Sequence, residues 1–205
     1  FTTAVGADMD IDAANVTLVN FRGVAGIDAL TGPIDVNSAN FRMVGDCRWE
    51  DGTTINTTDC VVADANADEM TIDGFTFIDG NAAGTQKQSF IQVAGATRPT
   101  IRNIRATGDF GTGIIENGTA WVDATLEDLI LDNASVTPTV CVLLQATSSG
   151  WARNSSLRVA SGATGYTANN DMQFDNVTTT GTDAASTEGA DGTLGVKADT
   201  AATGA

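Results

Sequence analysis

One short pattern recurs along the chain: an apolar residue, any residue, then Asn, Gly or Asp, then a second apolar residue. It reads Leu18-Val19-Asn20-Phe21, Ile72-Asp73-Gly74-Phe75, Ile101-Arg102-Asn103-Ile104, Leu126-Glu127-Asp128-Leu129 and Phe174-Asp175-Asn176-Val177. Looser copies stand at Ser38-Ala39-Asn40-Phe41 and Ala152-Arg153-Asn154-Ser155. The third residue of successive copies advances by 20, 34, 29, 25, 26 and 22 positions, a mean of 26. A repeat of that length marks a solenoid, in which one coil cannot bury its apolar side until a neighbour stacks on it.

The residue types agree with short strands joined by sharp corners. Hydrophobic residues make up 42% of the 205, mostly Ala and Val, and there are three Pro. Thr and Val suit a pleated surface, while Asn, Asp and Gly accept the left-handed backbone of a tight corner. No window holds a 3.6-residue apolar period, so we expect an all-β chain. No stretch reads as a membrane-spanning helix or a leader peptide.

Stacking the seven copies predicts three columns. The corner column is Asn20, Asn40, Gly74, Asn103, Asp128, Asn154 and Asn176, whose side chains can hydrogen-bond from coil to coil as ladders do in cross-β stacks. The next column, Phe21, Phe41, Phe75, Ile104, Leu129, Ser155 and Val177, reads as core. The column before the corner turns charged at its third member and then alternates in sign: Asp73, Arg102, Glu127, Arg153, Asp175. Neighbouring strands lie ~4.8 Å apart, so each charge would face two of the opposite sign. A slipped coil would face like charges, and the ladder therefore protects register.

Between the columns, Val44 to Met70 is overlong and reads as a projecting loop at about 45–69, with Trp49 as a possible partner contact and Cys47 and Cys60 as a possible disulfide. Cys141, in an apolar run, reads as a small buried hydrophobe. Residues 1–14 are expected to cap the first coil, and 1–180 to form one domain. The stretch 181–205 is dominated by Gly, Ala, Thr, Ser and Asp and reads as an extended tail that needs another surface to order it. Six Asn-X-Ser/Thr tripeptides begin at Asn15, Asn56, Asn117, Asn133, Asn154 and Asn176. We discount them, because a Thr-rich chain makes them by chance and the corner positions of Asn154 and Asn176 leave a glycan no room.

Charge and chemistry narrow the function. The formal net charge is −16, with ten basic residues against 26 acidic ones, which disfavours nucleic acid and anionic membrane as partners. There is no His, so Ser–His triads and imidazole acid–base catalysis are excluded. Two carboxylates can still hydrolyse a glycoside. The candidates are Asp79, Asp109 and Asp132 on one side, with Glu116 and Asp123 on another. A surface this acidic brings some pair that close by chance. No metal and no cofactor is expected. Among the aromatics, Trp121 and Trp151 read as corner packing, and Trp49 as the exposed one.

The runs Met70-Thr71-Ile72-Asp73-Gly74-Phe75-Thr76-Phe77 and Pro99-Thr100-Ile101-Arg102-Asn103-Ile104 resemble the right-handed parallel β-helix proteins of bacteriophage virions and polysaccharide-acting enzymes, over about residues 15–180. The resemblance implies a right-handed parallel β-helix of about seven coils with an N-terminal cap and an extended C-terminal tail. For function it implies a capsid decoration protein, a tail spike binding host glycan, or a secreted polysaccharide lyase or hydrolase. The small size and the acidic, Gly/Ala/Thr-rich style are most similar to the decoration type of a marine phage. We therefore expect a non-enzymatic virion protein that partners itself, as a homotrimer, and a capsid surface.

Overall fold

The computed structural model of the chain describes residues 9–24, 34–51, 61–64, 66–79, 89–108, 110, 113–133, 140–159, 164–169, 172–180, 185–188 and 194–198. Among these residues the regular structure is all strand, with no helix. The strands are β1 Met9–Ile11, β2 Thr17–Val19, β3 Arg22–Val24, β4 Ile34–Val36, β5 Arg42–Asp51, β6 Val61–Ala63, β7 Thr71–Asp79, β8 Ile91–Val93 and β9 Thr100–Gly108. They continue as β10 Gly113–Asn117, β11 Ala124–Asn133, β12 Val140–Thr147, β13 Gly150–Val159, β14 Thr164–Asn169, β15 Met172–Thr180, β16 Ala185–Glu188 and β17 Leu194–Ala198.

From β4 onward, successive strands alternate between two sheets. The smaller has the order β1-β4-β6-β8-β10-β12-β14-β16, and the larger β2-β5-β7-β9-β11-β13-β15-β17, with β3 also paired to β5. All these pairings are parallel. Each strand therefore meets its sequence counterpart one coil away, and the molecule is a parallel β-solenoid.

The larger sheet gives the coil length. Thr17 opposes Arg42, which opposes Thr71, then Thr100, Thr125, Trp151 and Gln173. Those steps are 25, 29, 29, 25, 26 and 22 residues, by subtraction of the paired numbers. The first two differ from the 20 and 34 expected from the motif, and the reason is a second corner. Asn20 is followed one coil later by Gly45, not Asn40: the Val19–Val44 and Val44–Asp73 pairs put Asn20, Gly45 and Gly74 in line. Asn40 belongs with Asn15, Glu69, Arg98 and Asp123. Each of the first four donates its N–H to the carbonyl just before its successor, Asn15 to Ala39, Asn40 to Asp68, Glu69 to Thr97 and Arg98 to Val122. The overlong interval was two corners read as one.

Within the coil, the sheets face each other across a single core. Inward residues of the smaller sheet, Ile34, Val61, Ile91 and Ile115, meet those of the larger, Ile72, Phe75, Phe77, Ile101, Ile104 and Leu126, all buried. Phe90 joins them, with ring centroids 4.9 Å from Phe75 and 4.8 Å from Phe77, and Phe110 lies 5.5 Å from Phe77. Offset or tilted ring pairs at these separations are favourable beyond their buried area. Two buried asparagines at strand ends are bonded: Asn133 accepts from Phe110 N–H at 3.1 Å and donates to Phe110 O at 3.2 Å. Asn117 donates to Ser148 Oγ at 2.7 Å.

Three expected boundaries change. Residues 45–51 are not loop but the second half of β5, and 61–63 form β6, so any projecting loop falls within 52–60, outside the described residues. Residues 9–11, expected in a cap, form β1 and pair with β4. In the stretch expected as a tail, β16 pairs with β14 and β17 with β15, Leu194 opposite Phe174 and Val196 opposite Val177. A weakly apolar segment is held there by the backbone bonds of the preceding coil.

Candidate functional site

The chemistry-bearing side chains cluster on the larger sheet's outer face and its two corners. All seven residues of the predicted corner column have positive φ, from Asn20 and Asn154 at 50° to Gly74 at 85°. So do Asn15, Glu69, Arg98 and Asp123 of the second corner, at 54–64°. Asn and Asp adopt this region readily, whereas Glu69 and Arg98 do so only when their surroundings hold them there. Here the force is geometric, because each coil must turn where its neighbour turns.

Gly45 and Gly74 show how tight the stacking is. A Cβ on Gly74 would lie 2.1 Å from Gly45 O, and one on Gly45 2.3 Å from Asn20 Oδ1. Elsewhere the corner side chains are used. Asn20 Oδ1 accepts from Asp46 N–H at 2.9 Å, and Asn176 Nδ2 donates to Asn154 Oδ1 at 3.1 Å. Asn103 Nδ2 leaves the column and donates to Asp73 Oδ1 at 2.6 Å.

The charged column is in register through all five members: Asp73 opposes Arg102, Arg102 opposes Glu127, Glu127 opposes Arg153 and Arg153 opposes Asp175. Arg102 reaches Asp73 at 2.8 Å and Arg153 reaches Glu127 at 2.8 Å. Burial alone would raise the Asp73 carboxyl. Hydrogen bonds from Asn103 and Arg102, with the charges of Arg102 and Arg42, outweigh it and hold Asp73 below the ordinary carboxylate value. The hydrogen bond to Asp73, and then its charge, raise Arg102 in turn. Sequence reasoning missed two further rungs. Arg98 pairs with Glu69 on the second corner, and Arg158 lies 3.5 Å from Asp132 near the far end of the strands.

Of the five carboxylates considered for glycoside chemistry, the three whose side chains are described, Asp132, Glu116 and Asp123, lie on different parts of the coil. Asp132 faces outward on the larger sheet toward Arg158. Glu116 points outward from the smaller sheet, yet is buried, and accepts from Gln92 Nε2 at 2.9 Å. Asp123 occupies the second corner, its own N–H bonded to Ser149 Oγ at 3.0 Å. Asp79 does not share a column with Asp132: Ile78 and Asp132 both align with Thr107, which leaves Asp79 one place along, at the level of Gly108. The Asp79 side chain and the whole of Asp109 lie outside the described residues.

The aromatics and thiols also move. Trp121 is wholly buried and donates its indole N–H to Val93 O at 3.1 Å. Trp151, expected at a corner, stands half-exposed on the outer face at the start of β13. Trp49 lies within β5 opposite Phe77; its side chain, like that of Tyr166, is outside the described residues. Cys47 is buried in the core column opposite Phe75, with Sγ 3.4 Å from Val44 O, and Cys60 lies outside the described residues. Cys141 is buried, its thiol pushed up to about 12 by desolvation. The corner asparagines Asn154 and Asn176 are exposed, not closed in as expected, whereas Asn117 and Asn133 are buried.

Compared with family models, curated proteins and solved structures, the chain matches none.

Proposed function

We propose that this protein is a non-enzymatic structural component of a virion, of the capsid decoration type, built as a right-handed parallel β-helix of about seven coils. Right-handed winding is the rule for parallel crossovers within one sheet. The observation that carries the functional reading is where the exposed charges point. Arg102, Arg153, Arg158 and Arg98 each turn along the solenoid axis to a carboxylate on the preceding coil. A surface that spends its ionic groups on its own register is suited to stiffness and display. A hydrolytic site needs the reverse, two carboxylates converging on one point in space.

Composition supports the virion setting by its acidity and its resemblance to phage β-helices, and the extracellular particle would be its location. Quantitative mass spectrometry and cryo-electron microscopy of particles from a producing culture test this. We expect hundreds of copies on the capsid exterior. A few copies at a tail tip, or protein found only in particle-free medium, overturns the reading. Incubation with uronate and neutral polysaccharides should give no turnover, and Glu116→Gln and Asp132→Asn should leave that baseline unchanged. Turnover abolished by either substitution replaces the proposal with an enzyme.

A further inference from the structure

Winding the coil sorts the six Asn-X-Ser/Thr tripeptides into two kinds. Asn15, Asn154 and Asn176 stand at exposed corners, where a bulky substituent has room. Asn117 and Asn133 are wholly buried. Asn56 lies outside the described residues. The two buried members carry a consequence for where the chain can fold.

Asn117 ends β10, and its Nδ2 donates to Ser148 Oγ on the following coil at 2.7 Å. The same hydroxyl oxygen accepts the backbone N–H of Trp121 at 3.1 Å, and Ser148 and Trp121 are both wholly buried. The Asn117 amide therefore ties two coils together beside the largest of the core side chains. Asn133 ends β11 and clamps the buried Phe110 through both its backbone N–H and its carbonyl. Phe110 in turn packs on Phe77. At each site the Nδ2 that a glycan would occupy is the donor of a buried hydrogen bond. An interior packed at crystal density has no void for a sugar. Swinging either side chain out to make room would break those bonds inside the core, where each lost partner is costly.

We propose that N-glycosylation of Asn117 or Asn133 blocks closure of the coils that carry them, and that this chain folds where N-glycosylation does not occur, outside the eukaryotic secretory route. In that route the sugar comes from a lipid diphosphate carrier. A bond forms between the anomeric carbon and Nδ2, the anomeric carbon–oxygen bond to the carrier diphosphate breaks, and Nδ2 gives up one proton. Transfer reaches the chain before it folds, so burial in the finished coil protects neither asparagine. The inference rests on coil geometry alone and stands apart from the virion reading.

Expression of the full chain in cultured eukaryotic cells tests it, once in the cytoplasm and once behind a cleavable secretory leader. The cytoplasmic product should be soluble, with a β circular-dichroism spectrum. The secretory product should carry glycan at Asn117 or Asn133 by peptide mass spectrometry and be retained in the cell. Thr119→Ala with Ser135→Ala removes both acceptor tripeptides and leaves both asparagines in place; it should raise secreted yield at least tenfold. Because Thr119 Oγ1 also accepts the Gly95 N–H, wild type made with glycan transfer blocked by tunicamycin provides a second comparison, and less of it should be retained. Wild type secreted as well as the double variant, with the same spectrum and melting temperature as the cytoplasmic product, overturns the proposal. Retention that neither the double variant nor tunicamycin relieves overturns it equally.

Discussion

The corner residues show how a single position can be decided by its neighbour in space rather than in sequence. Asn, Asp and Gly at the corners tolerate positive φ, but Gly74 is there for a further reason, the carbonyl of Gly45 directly beneath it. Gly74→Ala should therefore cost more than the strain of a left-handed alanine, which alone is about 1–3 kcal/mol. We expect a loss of at least ~2 kcal/mol in urea unfolding, and a loss below ~0.5 kcal/mol would show that the corner opens freely. Asp73 gives a pH dependence at the same scale. Its folded pKa lies below its ordinary value of 3.8, so its contribution is present above that value and is lost as pH falls toward the lowered one. Stability measured from pH 6 down to 2 should decline below about pH 4. Asp73→Asn should flatten part of that decline, and unchanged profiles would remove Asp73 from the account.

At the scale of strands, register rests on the charge column and the buried aromatic rungs together. Exposed ion pairs contribute about 0.2–1 kcal/mol each, so Arg102→Ala should lower stability only slightly. Arg102→Glu places a negative charge between Asp73 and Glu127, both opposite it in register. It should destabilise clearly more than Arg102→Ala in parallel denaturant titrations, and equal effects would mean that the column does not read sign. The aromatic rungs carry larger energies. Phe77, packed against Phe90 and Phe110, should lose about 3–5 kcal/mol as Phe77→Ala. The column of five charges was legible in the sequence because each charge stands one place before a corner residue. Arg98–Glu69 was not, since it belongs to the second corner, where Asn15, Asn40, Glu69, Arg98 and Asp123 share a backbone conformation but no common side-chain type.

For the whole molecule, the consequence of a solenoid is that each end strand depends on one neighbour only. β16 and β17 close the C-terminal side of both sheets. A chain ending at Thr180 would present β14 and β15 as unpaired edges, and we expect it to melt earlier and to aggregate in light scattering where the full chain does not. If the shortened chain is as stable and as dispersed as the full one, the last two strands add nothing to the fold.

Periodicity in the chain determined the repeat, the all-β class, the left-handed corner and the alternating charges, because each follows from spacing along the sequence and local backbone preference. Tertiary structure decided the rest. Whether Asn40 aligns with Asn20 or with Asn15 depends on which strand it meets, and both corners accept Asn equally well. Whether the weakly apolar stretch beyond Thr180 joins the sheets depends on the edge offered by β14 and β15, not on its own composition. That seven of the eight Arg lie on strands of one sheet is likewise invisible until the coil is wound, since it is the winding that assigns alternate strands to opposite faces.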